Sequence, residues 1–132
     1  MQLAFHHVGV VTRELESAAR VYRALGYTAS QRYEDPLQGV AIVFMQREDS
    51  PLVELVSPLH AESPAQGWLK RTKAGPYHTC YEVAVLEDAL ELLRAEGFTP
   101  TGMPLPAVAF GGRRVVFSWS NEAGLVELLE AK

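Results

Sequence analysis

Displaced by 71 positions, the sequence falls on itself: His7 meets His78, Leu15 meets Leu86, Glu16 meets Glu87 and Ala18 meets Ala89. Arg23 on Arg94, Ala24 on Ala95, Gly26 on Gly97 and Thr28 on Thr99 follow without a gap. These are eight identities over the 22 positions from His7 to Thr28, where unrelated sequences give roughly one or two, and they establish an internal repeat. A second block recurs at an offset of 73, with Val43-Phe44 on Val116-Phe117 and Leu52-Val53-Glu54-Leu55 on Leu125-Val126-Glu127-Leu128. The offset grows because one loop of the second copy is longer. The fold problem therefore reduces to one supersecondary unit, built twice.

Residue patterning defines that unit. Leu3 to Val11 is rich in β-branched and aromatic residues and reads as a strand, with Phe5, His7, Gly9 and Val11 on one face and His6, Val8 and Val10 on the other. Thr12 is placed to cap the helix that follows. Its stripe is Leu15, Ala18, Ala19, Tyr22 and Leu25, and Gly26 is its stop. Strands are expected at Tyr27 to Tyr33, Val40 to Met45 and Leu52 to Val56, separated by turns at Glu34-Asp35-Pro36 with Gly39 and at Arg47 to Pro51. Ser63-Pro64 starts a short helix over Pro64 to Thr72, and Gly75-Pro76 ends that connector.

The second copy gives a strand at Tyr77 to Val83, a helix at Leu86 to Glu96 and a strand near Phe98 to Gly102. A long loop at Met103 to Gly112 precedes closing strands at Arg114 to Trp119 and Leu125 to Leu129. The expectation is a single α+β domain over residues 1–132. It consists of two tandem βαβββ modules, 3–57 and 77–132, joined by a connector at 58–76.

Composition removes several function classes. A chain of 132 residues with 48% hydrophobic and 21% charged residues is globular. A net charge of −4 argues against a nucleic-acid partner. No apolar run approaches the roughly 18 residues of a membrane span. The single cysteine, Cys80, cannot form an internal disulfide and fits a reducing compartment, so a cytoplasmic protein without membrane or nucleic-acid partners is expected.

Each copy carries a histidine on its first strand and a glutamate on its last; 47 positions separate His7 from Glu54 and 49 separate His78 from Glu127. Alternation places Leu52, Glu54 and Val56 on one face, and Val53 and Leu55 on the other, which should pack on the helix. A carboxylate in an otherwise apolar strand is costly unless something pairs with it. A lone strand histidine is usually a satisfied core residue. Two matched histidines with two matched glutamates are not required by folding, and they suggest one divalent cation held between the copies. Imidazole and carboxylate donors suit Ni, Co, Zn, Fe or Mn. Tyr22, Phe44, Phe117 and Trp119 read as core or pocket wall, His6 as the off-face neighbour of His7, and Cys80 as a small buried residue. Trp68, Lys70, Arg71 and Lys73 lie on the connector, where they form either an ordinary solvated face or a site for an anionic substrate tail. Gly111-Gly112-Arg113-Arg114 is not a phosphate loop, because no helix start follows it.

The runs His7-Val8-Gly9-Val10-Val11, Leu52-Val53-Glu54-Leu55-Val56-Ser57-Pro58, Tyr77-His78-Thr79-Cys80-Tyr81-Glu82-Val83 and Gly112-Arg113-Arg114-Val115-Val116-Phe117 resemble the vicinal oxygen chelate superfamily. The likeness is to its methylmalonyl-CoA epimerase and glyoxalase I-like branch, and it extends over nearly the whole chain. It implies the glyoxalase/bleomycin-resistance-like fold, a curved, barrel-like mixed sheet with the metal cleft inside. It also implies a metal ligand set of His7, Glu54, His78 and Glu127. The implied enzyme is a lactoylglutathione lyase-like or methylmalonyl-CoA epimerase-like isomerase or lyase that removes a proton next to a carbonyl through a metal-stabilised enediolate. Glu127 is the first choice of base and Glu54 the second. The implied substrate is an acyl-thioester or a glutathione adduct, and the implied assembly a homodimer.

Some epimerases carry glutamine at the position of Glu54, and the second site often reads His-His where this chain has Tyr77-His78. Some bacterial epimerases place a glutamate just after the Gly-Val turn, whereas Gly39-Val40-Ala41-Ile42-Val43 is apolar. Two alternatives remain at this point. A non-catalytic binding or resistance protein of the same fold would generally lack the full ligand set, and an extradiol dioxygenase would use two histidines and one carboxylate on iron.

Overall fold

The computed structural model describes residues 3–132. Contacts group them into two compact units, residues 7–77 and residues 78–132, the latter including the strand start at residues 3–6.

The first unit holds β1 (Leu3–Val11) from His7 onward, α1 (Leu15–Ala24), β2 (Thr28–Ala29), β3 (Tyr33–Asp35), β4 (Val40–Gln46), β5 (Val53–Pro58) and α2 (Pro64–Thr72). Its strand order is β2–β4–β5–β1, with β3 also on β4. β1 and β5 run parallel, with Gly9 opposite Glu54, and β4 is antiparallel to β5, with Phe44 opposite Glu54. α1 lies on one face of this sheet. Its Leu15 and Ala19 pack with Val10, Ala41, Val43, Met45, Val53 and Leu55. Burying a leucine as fully as Leu15 or Leu55 stabilises by about 1.5–3 kcal/mol. Because Val53 and Leu55 serve this core, strand alternation puts Glu54 on the opposite face, as expected.

The second unit holds β6 (Gly75–Val83) from His78 onward, α3 (Leu86–Ala95), β7 (Thr99–Pro100), β8 (Leu105–Pro106), a 3-10 turn at Val108–Phe110, β9 (Arg114–Ser120) and β10 (Gly124–Glu130). The order is β6–β10–β9–β7, with β8 also on β9 and Leu3 to His6 of β1 beside β6. β10 is parallel to β6, with Glu127 opposite Cys80, and antiparallel to β9, with Glu127 opposite Phe117. Leu86 and Ala89 of α3 pack with Val83, Val116 and Leu128, and Val126 packs against the same cluster. This again leaves Glu127 on the face away from the helix.

Three expectations change in detail. The segment Tyr27 to Tyr33 is not one strand: β2 and β3 are separated at Ser30, whose hydroxyl accepts from Phe44 N at 2.9 Å and donates to Gln31 O at 2.7 Å. Thr12 does not cap α1, because its backbone N–H still donates to Val56 O at 2.8 Å in the manner of the sheet; the N-cap is Glu14, and at the matching position of α3 it is Val85. The long loop of the second copy contains a short strand, with Leu105 opposite Val115 and Pro106 opposite Arg114. α2 occupies the expected span, with Ser63 Oγ accepting from Ala65 N at 3.2 Å. Among the described residues, no helix is long and apolar enough to cross a membrane.

Candidate metal centre

In the first unit, β1 supplies His7 and β5 supplies Glu54. The Nε2 of His7 stands 3.2 Å from Oε1 of Glu54, with His7 fully buried and Glu54 3% exposed. β4 adds Phe44, whose ring meets the His7 imidazole edge to face with centroids 6.2 Å apart. Tyr33 of β3 stands in turn against Phe44 at 6.1 Å.

The second unit repeats this arrangement atom for atom. His78 Nε2 is 3.1 Å from Glu127 Oε1, and these residues are 4% and 3% exposed. Phe117 of β9 meets the His78 ring edge to face at 5.1 Å. The backbone explains the equality. In each unit the glutamate lies across a parallel pair from the residue two beyond the histidine, Gly9 in one and Cys80 in the other. Strand alternation then brings both side chains to one face. Each half-site is thus a histidine, a glutamate and a phenylalanine on three adjacent strands. Phe44 and Phe117 had read as wall residues; their coincidence at the offset of 73 is the signal that ties them to the histidines.

Burying a carboxylate in an apolar strand face disfavours its ionised form unless a positive charge compensates. An imidazole nitrogen about 3 Å away can compensate as imidazolium, or it can join the carboxylate oxygen as a donor to a cation. The mixed nitrogen–oxygen donor set suits a borderline divalent ion, and the edge-on phenylalanine limits water beside the ring. The residues of each half-site therefore fit a divalent metal.

Other sequence candidates fall outside these triads. Cys80 is fully buried in a cluster with Ala107, Val115 and Leu129, which is a packing role. His6 stacks edge to face on Phe110 at 5.3 Å. Arg71 lies over the Trp68 ring at 5.2 Å. Arg113 and Arg114, which follow the paired glycines, are structural. Arg113 Nη1 donates to Glu82 Oε2 at 2.5 Å, while Arg114 donates to Glu130 Oε2 at 2.6 Å and to Glu87 Oε2 at 3.0 Å. Hydrogen bonding to the Arg114 guanidinium holds the carboxyls of Glu130 and Glu87 below the usual range.

Residues 6–117 match the profile of the Glyoxalase/Bleomycin resistance protein/Dioxygenase superfamily, and the chain belongs to that family. Its relatives are narrower in kind. The ethylmalonyl-CoA/methylmalonyl-CoA epimerase of Cereibacter sphaeroides is 32% identical over 114 residues, which cover 85% of this chain and 84% of that protein. The mitochondrial methylmalonyl-CoA epimerase of Homo sapiens is 32% identical over 130 residues, covering 96% of this chain and 73% of the human one. Among solved structures, the methylmalonyl-CoA epimerase of Mycobacterium tuberculosis superposes with a TM-score of 0.83 at 22% identity, covering 98% and 88% of the two chains, a likeness of fold.

Proposed function

We propose that the protein is a divalent-metal-dependent epimerase acting on the carbon between the two carbonyls of a malonyl-CoA-type thioester. The reading carries over what its relatives are named for. One observation of the chain supports it: the same buried histidine–glutamate pair occurs in both copies, at 3.2 Å and 3.1 Å. In this reading His7, Glu54, His78 and Glu127 hold a single ion, one pair from each of the modules 3–57 and 77–132. Nickel, cobalt, zinc, iron and manganese all suit this donor set. When bound, the cation supplies positive charge that offsets the negative charge developing on the substrate carbonyl oxygen as the neighbouring C–H is lost.

The chain's own residues do the rest. Glu127 accepts the substrate α-proton, with Glu54 as the second choice of base. Epimerisation returns a proton to the same carbon from the other face, and repeat-related carboxylates offer the two proton-transfer groups this requires. Phe44 and Phe117 hold the imidazole rings edge-on and restrict water, which keeps the carbanionic state from being discharged at random. The working form is a cytoplasmic homodimer.

The test is exchange of the α-proton of methylmalonyl-CoA in deuterated buffer, followed by proton NMR. Metal-loaded protein should wash the proton out, and a chelator should stop the reaction until metal is restored. Absence of exchange by metal-loaded protein, or exchange indifferent to the chelator, would refute the proposal.

A further inference from the structure

Within residues 7–77, a cavity of about 330 Å³ opens between the β1–α1 turn and α2. Thr12 and Arg13 line it from the turn, and Leu69, Lys70, Lys73 and Ala74 from the end of the helix. Three cations from two separate segments converge on it, and no acidic residue is among its lining. Among the described residues, none of Arg13, Lys70 and Lys73 makes an ion pair, although the chain holds 16 acidic residues to 12 basic ones. Arg71, the next cation along, is engaged by Trp68.

Placement of cations at the last turn of α2 has an ordinary explanation, since they offset the helix dipole. That accounts for Lys70. It does not account for Arg13, which lies outside the helix, nor for the backbone at Lys73. Lys73 has φ 60 and is the only non-glycine residue with positive φ among those described. Glycine is the residue such a conformation favours, and here the position carries a cation.

We propose that this cavity seats the phosphorylated tail of a coenzyme A thioester, an inference that rests on the epimerase reading above. Its volume exceeds what one phosphate needs and accommodates a diphosphate with part of the adjoining nucleoside. Reach agrees as well. Thr12 lies five residues beyond His7, one past the end of β1, which at about 3.3 Å per residue is roughly 16 Å. The pantetheine arm, an extended amide-linked chain, sets a thioester sulfur roughly 15 Å from the diphosphate. The acyl group can thus lie at the His7–Glu54 pair while the phosphates meet Arg13, Lys70 and Lys73 just beyond the C-terminal end of β1.

The experiment compares wild type with the variant Arg13→Gln/Lys70→Gln/Lys73→Gln, both checked for cooperative melting. Free coenzyme A is titrated by calorimetry, alongside dephospho-coenzyme A and inorganic pyrophosphate. The kcat/KM for methylmalonyl-CoA is then set against that for the corresponding pantetheine ester. Coenzyme A should bind the variant at least tenfold more weakly, and the wild-type preference for the coenzyme A ester over the pantetheine ester should collapse through KM. Equal coenzyme A affinity in the two folded proteins overturns the proposal. So does pyrophosphate binding that coenzyme A cannot displace, which would make the cavity a site for free anions. Coenzyme A binding that responds to the substitutions in a protein showing no α-proton exchange would leave the subsite standing and remove the epimerase.

Discussion

Replacing Glu54 or Glu127 by glutamine separates a metal centre from an ordinary buried ion pair, because the two predict opposite signs. Each carboxylate is 3% exposed and stands about 3 Å from an imidazole nitrogen. A metal centre stripped of its ion leaves two buried carboxyl groups without their compensating cation, and an isosteric amide replaces one of them. Chelator-treated Glu54→Gln and Glu127→Gln should therefore be no less stable than chelator-treated wild type, and up to about 1 kcal/mol more stable. With metal present the order reverses. A thousandfold excess of free metal over its dissociation constant stabilises wild type by about 4.1 kcal/mol. Losing even an outer partner of a metal typically costs 10–100-fold in affinity, so the variants should retain only about 1.4–2.7 kcal/mol of that gain. At about 3–5 °C per kcal/mol for a domain of this size, wild type should rise by roughly 12–20 °C and the variants by about half as much. Thermal melts with and without EDTA read this directly, and elemental analysis should give one ion per wild-type chain. Destabilisation of either chelated variant by more than about 2 kcal/mol, with no metal-dependent rise in wild type, would refute the reasoning. Two ions per chain would refute the shared site while leaving the half-sites.

Three further outcomes are expected. Leu55→Ala and Leu128→Ala remove repeat-related residues that are 0% and 1% exposed, so each should cost about 2–5 kcal/mol and the two costs should agree within about 1 kcal/mol by urea denaturation; a larger gap would break the equivalence of the two cores. Gly26→Ala should destabilise by about 1 kcal/mol, because φ is +97 there and a side chain is strained in that conformation whatever room it has; an unchanged urea midpoint would count against this. Arg114→Gln should matter less in acid: Glu87 and Glu130 have folded pKa values below the ordinary 4.5, so their contribution is present above that pH and lost as pH falls through the lowered values. The stability difference from wild type should thus shrink between pH 7 and pH 3, and a constant difference would show that Arg114 acts through packing alone.

The half-sites were legible because periodicity and repetition acted together. Alternation along Leu52 to Val56 separates Glu54 from the residues that face α1, and the offset of 73 does the same for Glu127. The aromatic partners were visible only as repeated letters. Nothing in Val43-Phe44 states that the ring will meet an imidazole, because that follows from the register of β4 against β5, which is a long-range property. The break between β2 and β3 was hidden for a local reason. Ser30 bonds its own neighbourhood with its side chain, as serine does, and Thr101 holds the matching place by donating its N–H to Phe117 O at 3.0 Å. Thr12 misled because a good capping residue was still spoken for by the sheet. The cationic cavity was legible only in part: Lys70 and Lys73 stood out on the connector, whereas Arg13 is distant in sequence and joins them only through the placement of α2.

The way β1 is divided has a consequence for synthesis. Residues 7–77 form a continuous stretch, so every residue of this compact unit is present once Tyr77 has been made, while the remainder is still being synthesised. The other unit includes residues 3–6 along with residues 78–132, and it must wait for β10 before its sheet is whole. Residues 3–6 are therefore made before residues 7–77 but secured after them. Until β6 is made, Phe5, which ends edge to face with Tyr81 at 5.7 Å, has no ring to meet. Premature termination after the connector would leave residues 3–6 without β6 to pair with, an unclaimed edge open to another nascent chain.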